Sequence, residues 1–337
     1  MRDMDTNKAG LGRRSVLGVA TATLGLGATA ALLPSTASAR EAAGADGIHS
    51  THTPTIDTSH ATPELARLIS RFFEAKTSRD VEATLSYFYP RSTTYIDASL
   101  GWPTYSWDEL HKLFAGLMPT WPATARSYPT KIIGDTTSAL VFFTDTPELF
   151  GHEIRPMGVI NFKEGKIARW IDYWDGREFT LTDMKAQRTP DEKFPTDFKE
   201  SVVGETAKRS IKRVAHSISD ALSAGAVKEA ASLFSDDAVL EDQAVRTVVT
   251  GRLNIAAYLE RAAAHLPYGA GAEVRHVVGG HLGGGYEWTR GSGAVRRGVT
   301  ALELDGDGRI SRYTSVWDGS LVSDDQLSRL QALVIEH

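Results

Sequence analysis

The sequence predicts an α+β protein built from two copies of one small domain in tandem. Helical patterns come before strand patterns in each half of the chain, and the order of elements is the same in both halves. The chain has 337 residues, which suits two domains of roughly 100–200 residues behind an N-terminal leader. The alternation of strand and helix that indicates a doubly wound parallel sheet is not the pattern found here.

The N-terminus has the pattern of an export signal. Arg13-Arg14 precedes a mildly apolar stretch over residues 16–33, and Ala37-Ser38-Ala39 forms a small-residue cleavage site. Twin arginines before such a segment are typical of the route that exports folded proteins. We expect residues 1–39 to be a twin-arginine signal peptide, and the mature protein to be secreted or extracytoplasmic without a stable membrane anchor. A permanent N-terminal anchor is the alternative, which the cleavage site disfavours.

Composition excludes several classes of partner and cofactor. Residues 1–39 hold four of the 37 basic and two of the 42 acidic residues, which leaves 33 basic and 40 acidic residues. A chain of this balance has no basic surface for a phosphate backbone, so nucleic acid is not an expected partner. The absence of cysteine excludes disulfides, zinc–thiolate sites and thiol nucleophiles. The histidines lack metal-ligand spacing, so we expect neither a metal nor a cofactor.

Periodicity divides the first half into helices and strands. Apolar residues recur at helical spacing from Glu64 to Ala75, through Val81 to Phe88, and from Trp107 to Leu117. Alternating or apolar runs predict strands over residues 93–98, 131–133, 139–144, 157–162 and 167–174. In an α+β domain of this kind, helices pack on one face of the sheet, and we expect them to enclose an apolar pocket there.

The second half repeats the first at particular residues. Leu240-Glu241-Asp242 matches Tyr95-Ile96-Asp97, and Trp317-Asp318-Gly319 matches Trp174-Asp175-Gly176. Gly298 likewise matches Gly158. The predicted segments are a disordered leader (residues 40–62), a first domain (63–186), a linker rich in charge and proline (187–205) and a second domain (206–337).

Two strands of the first half bring carboxyl groups together with aromatic rings. Alternate residues of a strand share a face, so Trp170, Asp172 and Trp174 point to one side of the sheet. A carboxyl between two indoles is removed from water, so we expect the pKa of Asp172 to be raised toward neutrality. Tyr95 and Asp97 share a face of another strand. Two carboxyls in unlike environments suit acid–base catalysis.

Structural roles compete with this interpretation. Asp175 before Gly176 suits a turn or a cap, and Asp97 is placed to begin a turn before Gly101-Trp102-Pro103. Each aromatic residue can equally be part of an ordinary core. Asp172 is the hardest to explain in this way, because an aspartate inside a strand is costly without a partner.

Residues 63–180 resemble the nuclear transport factor 2-like superfamily, and within it the SnoaL-like and limonene-epoxide-hydrolase-like branch. The closing hairpin carries the resemblance, in the segments 154–162 and 164–167 and in Trp170-Ile171-Asp172-Tyr173-Trp174-Asp175. The resemblance implies two cone-shaped domains, each a curved antiparallel sheet with helices packed on its concave face, in the manner of cystatin-like and ketosteroid-isomerase-like rolls.

The resemblance also implies roles for particular residues. Asp172 takes the place of the general acid–base residue of the hydrolases, and Tyr95 and Asp97 take the places of the pair that holds the attacking water. Asp145 keeps the aspartate of an Arg-x-Asp element whose arginine is missing, with His152 and Arg155 as replacement candidates. Because that arginine is missing, isomerisation or cyclisation by a carboxylate pair stays open beside epoxide opening.

Residues 234–242, running on to Gly251, have the form of a segment of the ketosteroid isomerases that ends in their catalytic base. The second half thus resembles the ketosteroid-isomerase side of the same superfamily, and the base falls on Asp242. The other parts of that site are replaced, among them by Ile218 and Val299, so we expect the second pocket to be a weaker binding or structural repeat. The candidate substrate-binding residues over both halves are Trp102, Trp107, Trp170, Trp174, His152 and Asp242.

These observations predict a cofactor-independent acid–base enzyme that acts on a small apolar metabolite in the first pocket. The reaction is either the hydrolysis of an epoxide or an isomerisation or cyclisation. An exported carrier that binds such a molecule without altering it is the alternative, and a pure interaction scaffold is a third hypothesis. We expect the two copies either to pair with each other as a pseudo-dimer or to pair with a second chain.

Overall fold

The computed structural model describes residues 55–195, 198, 200 and 206–335. The predicted signal peptide and most of the predicted leader lie outside the described residues. Within the described part of the chain, no helix has both the length and the apolar character needed to cross a membrane.

Seven strands form the first sheet: β1 (Asp57–Ala61), β2 (Thr94–Asp97), β3 (Trp102–Thr104), β4 (Ser127–Asp135), β5 (Ser138–Asp145), β6 (Met157–Lys163) and β7 (Lys166–Tyr173). Their spatial order is β1-β4-β5-β6-β7-β2-β3. The helices of this half are α1 (Pro63–Thr77), α2 (Val81–Leu85), α3 (Trp107–Leu117), α4 (Pro147–Phe150) and α5 (Leu181–Gln187). Neighbouring strands are antiparallel except β1–β4 and β2–β7, which are parallel.

Six strands form the second sheet: β8 (Phe234–Asp242), β9 (Thr247–Thr250), β10 (Ala272–Gly279), β11 (Gly283–Arg290), β12 (Arg297–Leu304) and β13 (Ile310–Val316). Their order is β10-β11-β12-β13-β8-β9, and only β8–β13 is parallel. The helices here are α6 (Arg209–Ser223), α7 (Val227–Ser232), α8 (Arg252–Ala262) and α9 (Asp324–Ala332). The fold is therefore α+β with two curved, mainly antiparallel sheets and their helices, as predicted.

The predicted leader is wrong at its C-terminal end. Residues Asp57–Ala61 form β1, which pairs in parallel with β4 at the edge of the first sheet. The sequence has no alternation of polar and apolar residues there, because polar contacts hold this strand in place of a buried apolar face. Lys131 bonds Asp57 at 3.1 Å, and His60 bonds Glu303 of the second sheet at 3.3 Å. The second predicted helix also ends earlier, at Leu85.

Two phenylalanine residues of the predicted linker, Phe194 and Phe198, pack against the rest of the protein. Phe198 is buried, and the guanidinium groups of Arg275 and Arg297 lie over its ring at 5.0 and 4.3 Å. Phe194 packs against the backbone at Gly101, where an added Cβ would lie 2.4 Å from the ring. These aromatic residues fix the connection against both halves of the chain.

Helix α1 shows how the sequence builds the layer over the first sheet. The Thr62 side chain caps its N-terminus by accepting from the Leu65 amide, and Pro63 occupies its first turn. Its buried face includes Leu65, Ile69 and Phe72, which belong to one core cluster with inward-facing residues of the sheet. The apolar stripe at helical spacing therefore decides which face of α1 covers the sheet.

Each sheet buries both of its faces. On β7, Trp170 faces the helices, whereas Ile171 and Tyr173 face the second sheet. A second apolar cluster lies between the sheets and is drawn from both: Ile96, Ile133, Leu140, Met157, Val159, Ile171, Tyr173, Phe198, Val278, Val299, Ala301 and Val316. The faces that carry no helices are thus packed against each other.

A buried ionic cluster lies in this layer between the sheets. Glu287 of β11 is fully buried and accepts from the Tyr173 hydroxyl at 2.7 Å, from Arg275 at 3.1 Å and from Arg169. Glu200 bonds the same two arginines, at 2.9 Å from Arg169 and 2.5 Å from Arg275. The charges compensate one another, which is the condition for keeping them inside an apolar layer.

The two Trp-Asp-Gly segments join the halves reciprocally. The Asp175 carboxylate accepts from the Gly319 amide at 3.1 Å, and the Asp318 carboxylate accepts from the Gly176 amide, also at 3.1 Å. A Cβ at Gly176 would lie 2.4 Å from Asp318 Oδ1, and one at Gly319 would lie 2.8 Å from Asp175 Oδ1. Glycine is required at both places because only an unsubstituted backbone approaches the carboxylate so closely.

We expect Glu287→Gln to lower the free energy of unfolding by about 3 kcal/mol at pH 7, because it removes the charge shared by two buried arginines. Burial opposes ionisation of Glu287, but Arg169 and Arg275 outweigh it and lower its pKa from 4.5 to about 2. This contribution is therefore complete above about pH 4.5 and is lost as the pH falls toward 2. Urea unfolding at a series of pH values measures both effects.

The exposed Glu273→Gln on the neighbouring strand is the matched control, and we expect it to change the free energy by less than about 0.5 kcal/mol. A Glu287→Gln protein as stable as the native one at pH 7 would show that the ionic cluster is not needed to hold the sheets together.

Candidate functional site

Asp172 is the centre of the candidate site. It lies on β7 and faces the helices, and its side chain accepts from the Tyr95 hydroxyl at 2.9 Å and from the Trp170 indole N–H at 2.5 Å. The parallel pairing of β2 with β7 places Tyr95 beside Trp170 and Asp97 beside Asp172. Asp172 is only 4% exposed. The structure thus brings together the three residues predicted from strand alternation.

The surroundings of Asp172 shift the pKa of its carboxyl toward 7. Burial raises the pKa of Asp172 from 3.8 to about 7, and the nearby charge of Asp97 adds to the rise. The hydrogen bonds from Trp170 and Tyr95 and the charge of Lys76 act in the opposite direction. A carboxyl with this pKa takes up and releases a proton at physiological pH, which is the property an acid–base group needs.

Asp97 stabilises the turn after β2, which is the structural role predicted as the alternative to catalysis. Its Oδ1 accepts from the amides of Ser99 and Leu100, at 2.9 and 2.7 Å, and its Oδ2 accepts from the Trp174 indole at 2.9 Å. Burial raises the pKa of Asp97 to about 6 against these bonds. Asp97 therefore positions the chain after β2 and sets the charge beside Asp172.

Asp145 is engaged in a buried ion pair that sequence reasoning missed. Lys76 Nζ lies 3.2 Å from Asp145 Oδ1, and the Ser127 hydroxyl donates to the same oxygen. Lys76 also lies over the rings of Phe73 and Phe143, at 5.7 and 5.1 Å. The place of the Arg-x-Asp aspartate that the resemblance gives to Asp145 is therefore a paired position, because its oxygens already accept from a cation and a hydroxyl.

A signal for Lys76 is present in the sequence. It falls on the buried stripe of α1, three residues after Phe73 and four after Phe72, where an apolar residue is the rule. A lysine on an apolar stripe needs an acidic partner inside the fold. That partner is Asp145, 69 residues further along the chain.

Gly158 of β6 makes room for the central hydrogen bond. It lies opposite Asp172 in the sheet, and a Cβ there would lie 2.7 Å from Trp170 Nε1 and 3.1 Å from Asp172 Oδ1. A side chain at this position would push the indole away from the carboxyl. The glycine is therefore part of the site although it has no functional group.

The predicted substrate-binding residues of the first half divide into two groups. Trp170 and Trp174 are buried and act as hydrogen-bond donors to Asp172 and Asp97. Trp102, Trp107 and His152 are half-buried. Trp102 donates to the Gln187 carbonyl at 3.0 Å, Trp107 stacks on His111, and His152 bonds Asp183 at 3.2 Å.

An aromatic margin connects these residues with the site. Phe150 contacts Trp121 and packs against the core clusters of both Trp170 and Trp174. Tyr95 and Asp97 are themselves only partly buried. The Tyr95 hydroxyl therefore connects the partly exposed residues of the site with the buried carboxyl of Asp172.

Asp242 does not belong to this site. It lies at the end of β8 in the second sheet, is fully buried, and accepts from the Val245 amide at 2.8 Å and from the Trp317 indole at 3.2 Å. These contacts repeat those of Asp97 with Leu100 and Trp174. Ser315 stands beside it where Asp172 stands beside Asp97, so the second sheet has no counterpart of the central carboxyl.

Among the residues that the structure describes, no group of three or more histidine and carboxylate side chains is placed to hold a metal ion. The polar groups in and around the site are three carboxyls (Asp97, Asp145 and Asp172), a phenol, two indoles and one ammonium. They offer proton transfer and hydrogen bonding.

No protein-family model matches the chain. A ketosteroid-isomerase-like protein from Kribbella flavida is 16% identical, with a TM-score of 0.29, over 34% of this chain and 78% of that protein. An NTF2-like protein of unknown function from Burkholderia xenovorans is 21% identical, with a TM-score of 0.28, over 36% and 91%. A SnoaL-like protein of unknown function from Burkholderia thailandensis is 14% identical, with a TM-score of 0.30, over 34% and 98%. Likenesses at these levels carry no argument about this chain, and its fold rests on the strand order and packing described above.

We expect the free energy of unfolding to fall as the pH rises from about 4 to about 7. The folded-state pKa of Asp172 is about 7 and its ordinary value is 3.8. In this window the folded protein holds a proton that the unfolded chain has lost, so rising pH favours unfolding. Asp172→Asn removes this contribution, and its stability relative to the native protein should therefore increase across the window. The exposed Asp307→Asn is the control, and an equal slope in the native protein and Asp172→Asn would contradict the assignment.

We expect Gly158→Ala to separate Trp170 from Asp172 and to lower the free energy of unfolding by about 1–3 kcal/mol. The hydrogen bond from the Trp170 indole lowers the pKa of Asp172, so its loss should move that pKa further upward. Thermal unfolding and carboxyl-carbon NMR titration measure the two effects. Gly116→Ala on α3, where an added Cβ meets nothing within 4 Å, is the control. An unshifted titration in Gly158→Ala would refute the contact.

Proposed function

We propose that the first half of the chain binds a small, mainly apolar molecule and carries out acid–base chemistry on it, of the isomerase or cyclase type, without a cofactor. The observation that supports this most directly is the buried carboxyl of Asp172, with its pKa near 7 and its bonds from Tyr95 and Trp170. Superfamily membership, with the nuclear transport factor 2-like proteins, is part of the same proposal and is supported by the strand order and the closing hairpin.

In the proposed reaction, the Asp172 carboxylate removes a proton from a carbon next to a carbonyl group. The electron pair of the broken C–H bond moves into the carbonyl, which becomes an enolate. Asp172 then returns the proton to another carbon of the enolate. In the cyclase form, the enolate carbon instead attacks a second carbonyl carbon of the same molecule and closes a ring, while Asp172 gives its proton to the oxygen of that carbonyl. Each oxygen of Asp172 accepts one hydrogen bond and keeps a lone pair for this transfer.

Tyr95 is the residue best placed to support the enolate. Its hydroxyl donates to Asp172 while the carboxylate is charged, and burial raises the pKa of Tyr95 well above its ordinary value, so it stays a donor. Once Asp172 has taken the proton, its carboxyl becomes a donor as well. The Tyr95 hydroxyl can then turn its proton to the enolate oxygen.

The hydrolase route receives less support from the same contacts. It needs a water molecule held jointly by Tyr95 and Asp97, and a free acid to protonate the leaving oxygen. Tyr95 donates to Asp172 instead, Asp97 accepts from two amides and an indole, and Asp145 is paired with Lys76. Proton transfer within one molecule needs only Asp172 and Tyr95, which already bond to each other.

Binding without chemistry is the second candidate, and the half-buried aromatic margin favours it. Trp102, Trp107 and Phe150 present apolar surface that a carrier would use as well. A carrier has no use for a carboxyl that titrates near neutrality. The pKa of Asp172 is the reason for preferring the enzyme.

We expect the protein to catalyse exchange of deuterium from D2O into the carbon between the carbonyl and the double bond of an apolar cyclic β,γ-unsaturated ketone, followed by proton NMR. Because the base must be ionised, the rate should rise with pH up to about 7 and then level off. Asp172→Asn should lower the rate by about 100-fold or more, and Tyr95→Phe by a smaller factor.

Asp242→Asn is the matched control, since it removes the buried carboxyl that bonds the corresponding tryptophan of the second sheet. We expect it to keep the exchange rate if the variant remains folded by circular dichroism. Undiminished exchange in Asp172→Asn would refute the catalytic assignment. Binding of the ketone without exchange in the native protein would favour the carrier.

A further inference from the structure

A separate cavity opens in the second half of the chain, with a volume of about 520 Å³. This volume lies within the range of small-molecule sites. None of its lining residues belongs to the site around Asp172. The lining is drawn from the segment after α8, the end of β11, the turn before β12, the segment after β13, and helix α9 with the residue that follows it: His265, Pro267, Arg290, Gly293, Ala294, Val295, Trp317, Val322, Gln326, Arg329, Leu330 and Leu333.

The lining combines apolar residues with ionisable residues that are all basic. Trp317, Val295 and Leu330 supply buried apolar surface, and the ionisable residues are His265, Arg290 and Arg329. No carboxylate is among the lining residues. An apolar wall with only basic groups around it fits a molecule that has an apolar body and an anionic group.

Arg290 is the cation that most needs a ligand. Its Nε is buried and has no hydrogen-bond partner in the structure. Arg329, in contrast, is paired with Asp325 at 2.7 Å. A buried donor without an acceptor costs free energy, so an anion that accepts from Arg290 gains from satisfying it.

Comparison of the two sheets shows why Arg290 lacks a partner. Arg290 is the last residue of β11 and lies opposite Ala272, just as Asp145 is the last residue of β5 and lies opposite Ser127. The Ser127 hydroxyl that bonds Asp145 thus has no counterpart. The charge at this place in the sheet is reversed between the two halves, from acid to base.

The helices complete the comparison. Lys76, which pairs with Asp145, is the fourteenth residue of the 15-residue helix α1. The fourteenth residue of α6, also of 15 residues, is Leu222, which is buried and has no charge. The second half thus carries a base at the sheet position of the acid and no charged partner at the helix position.

We propose that this cavity binds an organic carboxylate with an apolar body, and that Arg290 holds the carboxylate group. Trp317 and the apolar residues of α9 contact the body of the ligand. Asp242 accepts from the Trp317 indole, is fully buried and does not line the cavity. This site is independent of the function proposed for Asp172.

Calorimetric titration with octanoate and with octan-1-ol tests the proposal, because the two ligands share the apolar chain and differ in the charged group. We expect the native protein to bind octanoate at least about tenfold more tightly than the alcohol. Arg290→Gln should weaken octanoate binding about tenfold or more and leave alcohol binding within about twofold. Leu330→Trp, which fills the cavity, should weaken both ligands.

Two variants separate this site from its alternatives. Arg309→Gln removes one exposed positive charge outside the cavity and should leave octanoate affinity unchanged. Asp172→Asn should also leave it unchanged, whereas loss of binding in that variant would place the ligand in the first half and overturn the proposal. Octanoate binding that is equal in the native protein and in a folded Arg290→Gln variant, or no tighter than that of the alcohol, would overturn it as well.

Discussion

Both faces of each sheet are covered, one by helices and the other by the opposite sheet, and this constraint decides which polar residues the strands can hold. A charged group on either face is cut off from water and persists only with a partner. Glu287 meets this condition between the sheets through Arg169 and Arg275, and Asp145 meets it under the helices through Lys76. Buried charge in this fold therefore marks either a bond that holds elements together or a site.

The two sheets share one aspartate and differ in another, which separates scaffold from chemistry. Asp97 and Asp242 each accept from a backbone amide three residues later and from the indole of a Trp-Asp-Gly segment. A contact made in both halves is explained by the turn that it stabilises. Asp172 has no such counterpart, because Ser315 stands at its place. Burial raises the pKa of this unshared carboxyl to about 7, further than the value of about 6 for Asp97 and Asp242.

The same comparison applies one strand away. Asp145 of the first sheet finds Lys76 and Ser127, whereas Arg290 of the second sheet finds neither a charged residue at the helix position nor a hydroxyl opposite. Two sheets with corresponding positions can separate two tasks, since a few differences around each sheet change its polarity while the cores stay apolar. Proton transfer suits the first set of residues, and binding of an anion suits the second.

The sequence by itself determined the α+β class, helices α1 to α3 and strands β2 and β4 to β7 of the first half, and the shared face of Trp170 and Asp172, because these follow from periods of 3.6 and 2 residues. It did not reveal β1, whose Asp57–Ala61 segment is held by polar contacts, nor the pairing of Lys76 with Asp145. Only the tertiary structure decided that Asp97 accepts from backbone amides and an indole and that Asp145 pairs with Lys76. It likewise decided that Asp242 is outside the site around Asp172 and that the Nε of Arg290 has no hydrogen-bond partner. The physical reason is that hydrogen-bond partners and burial depend on residues far apart in the chain, and no local pattern records them.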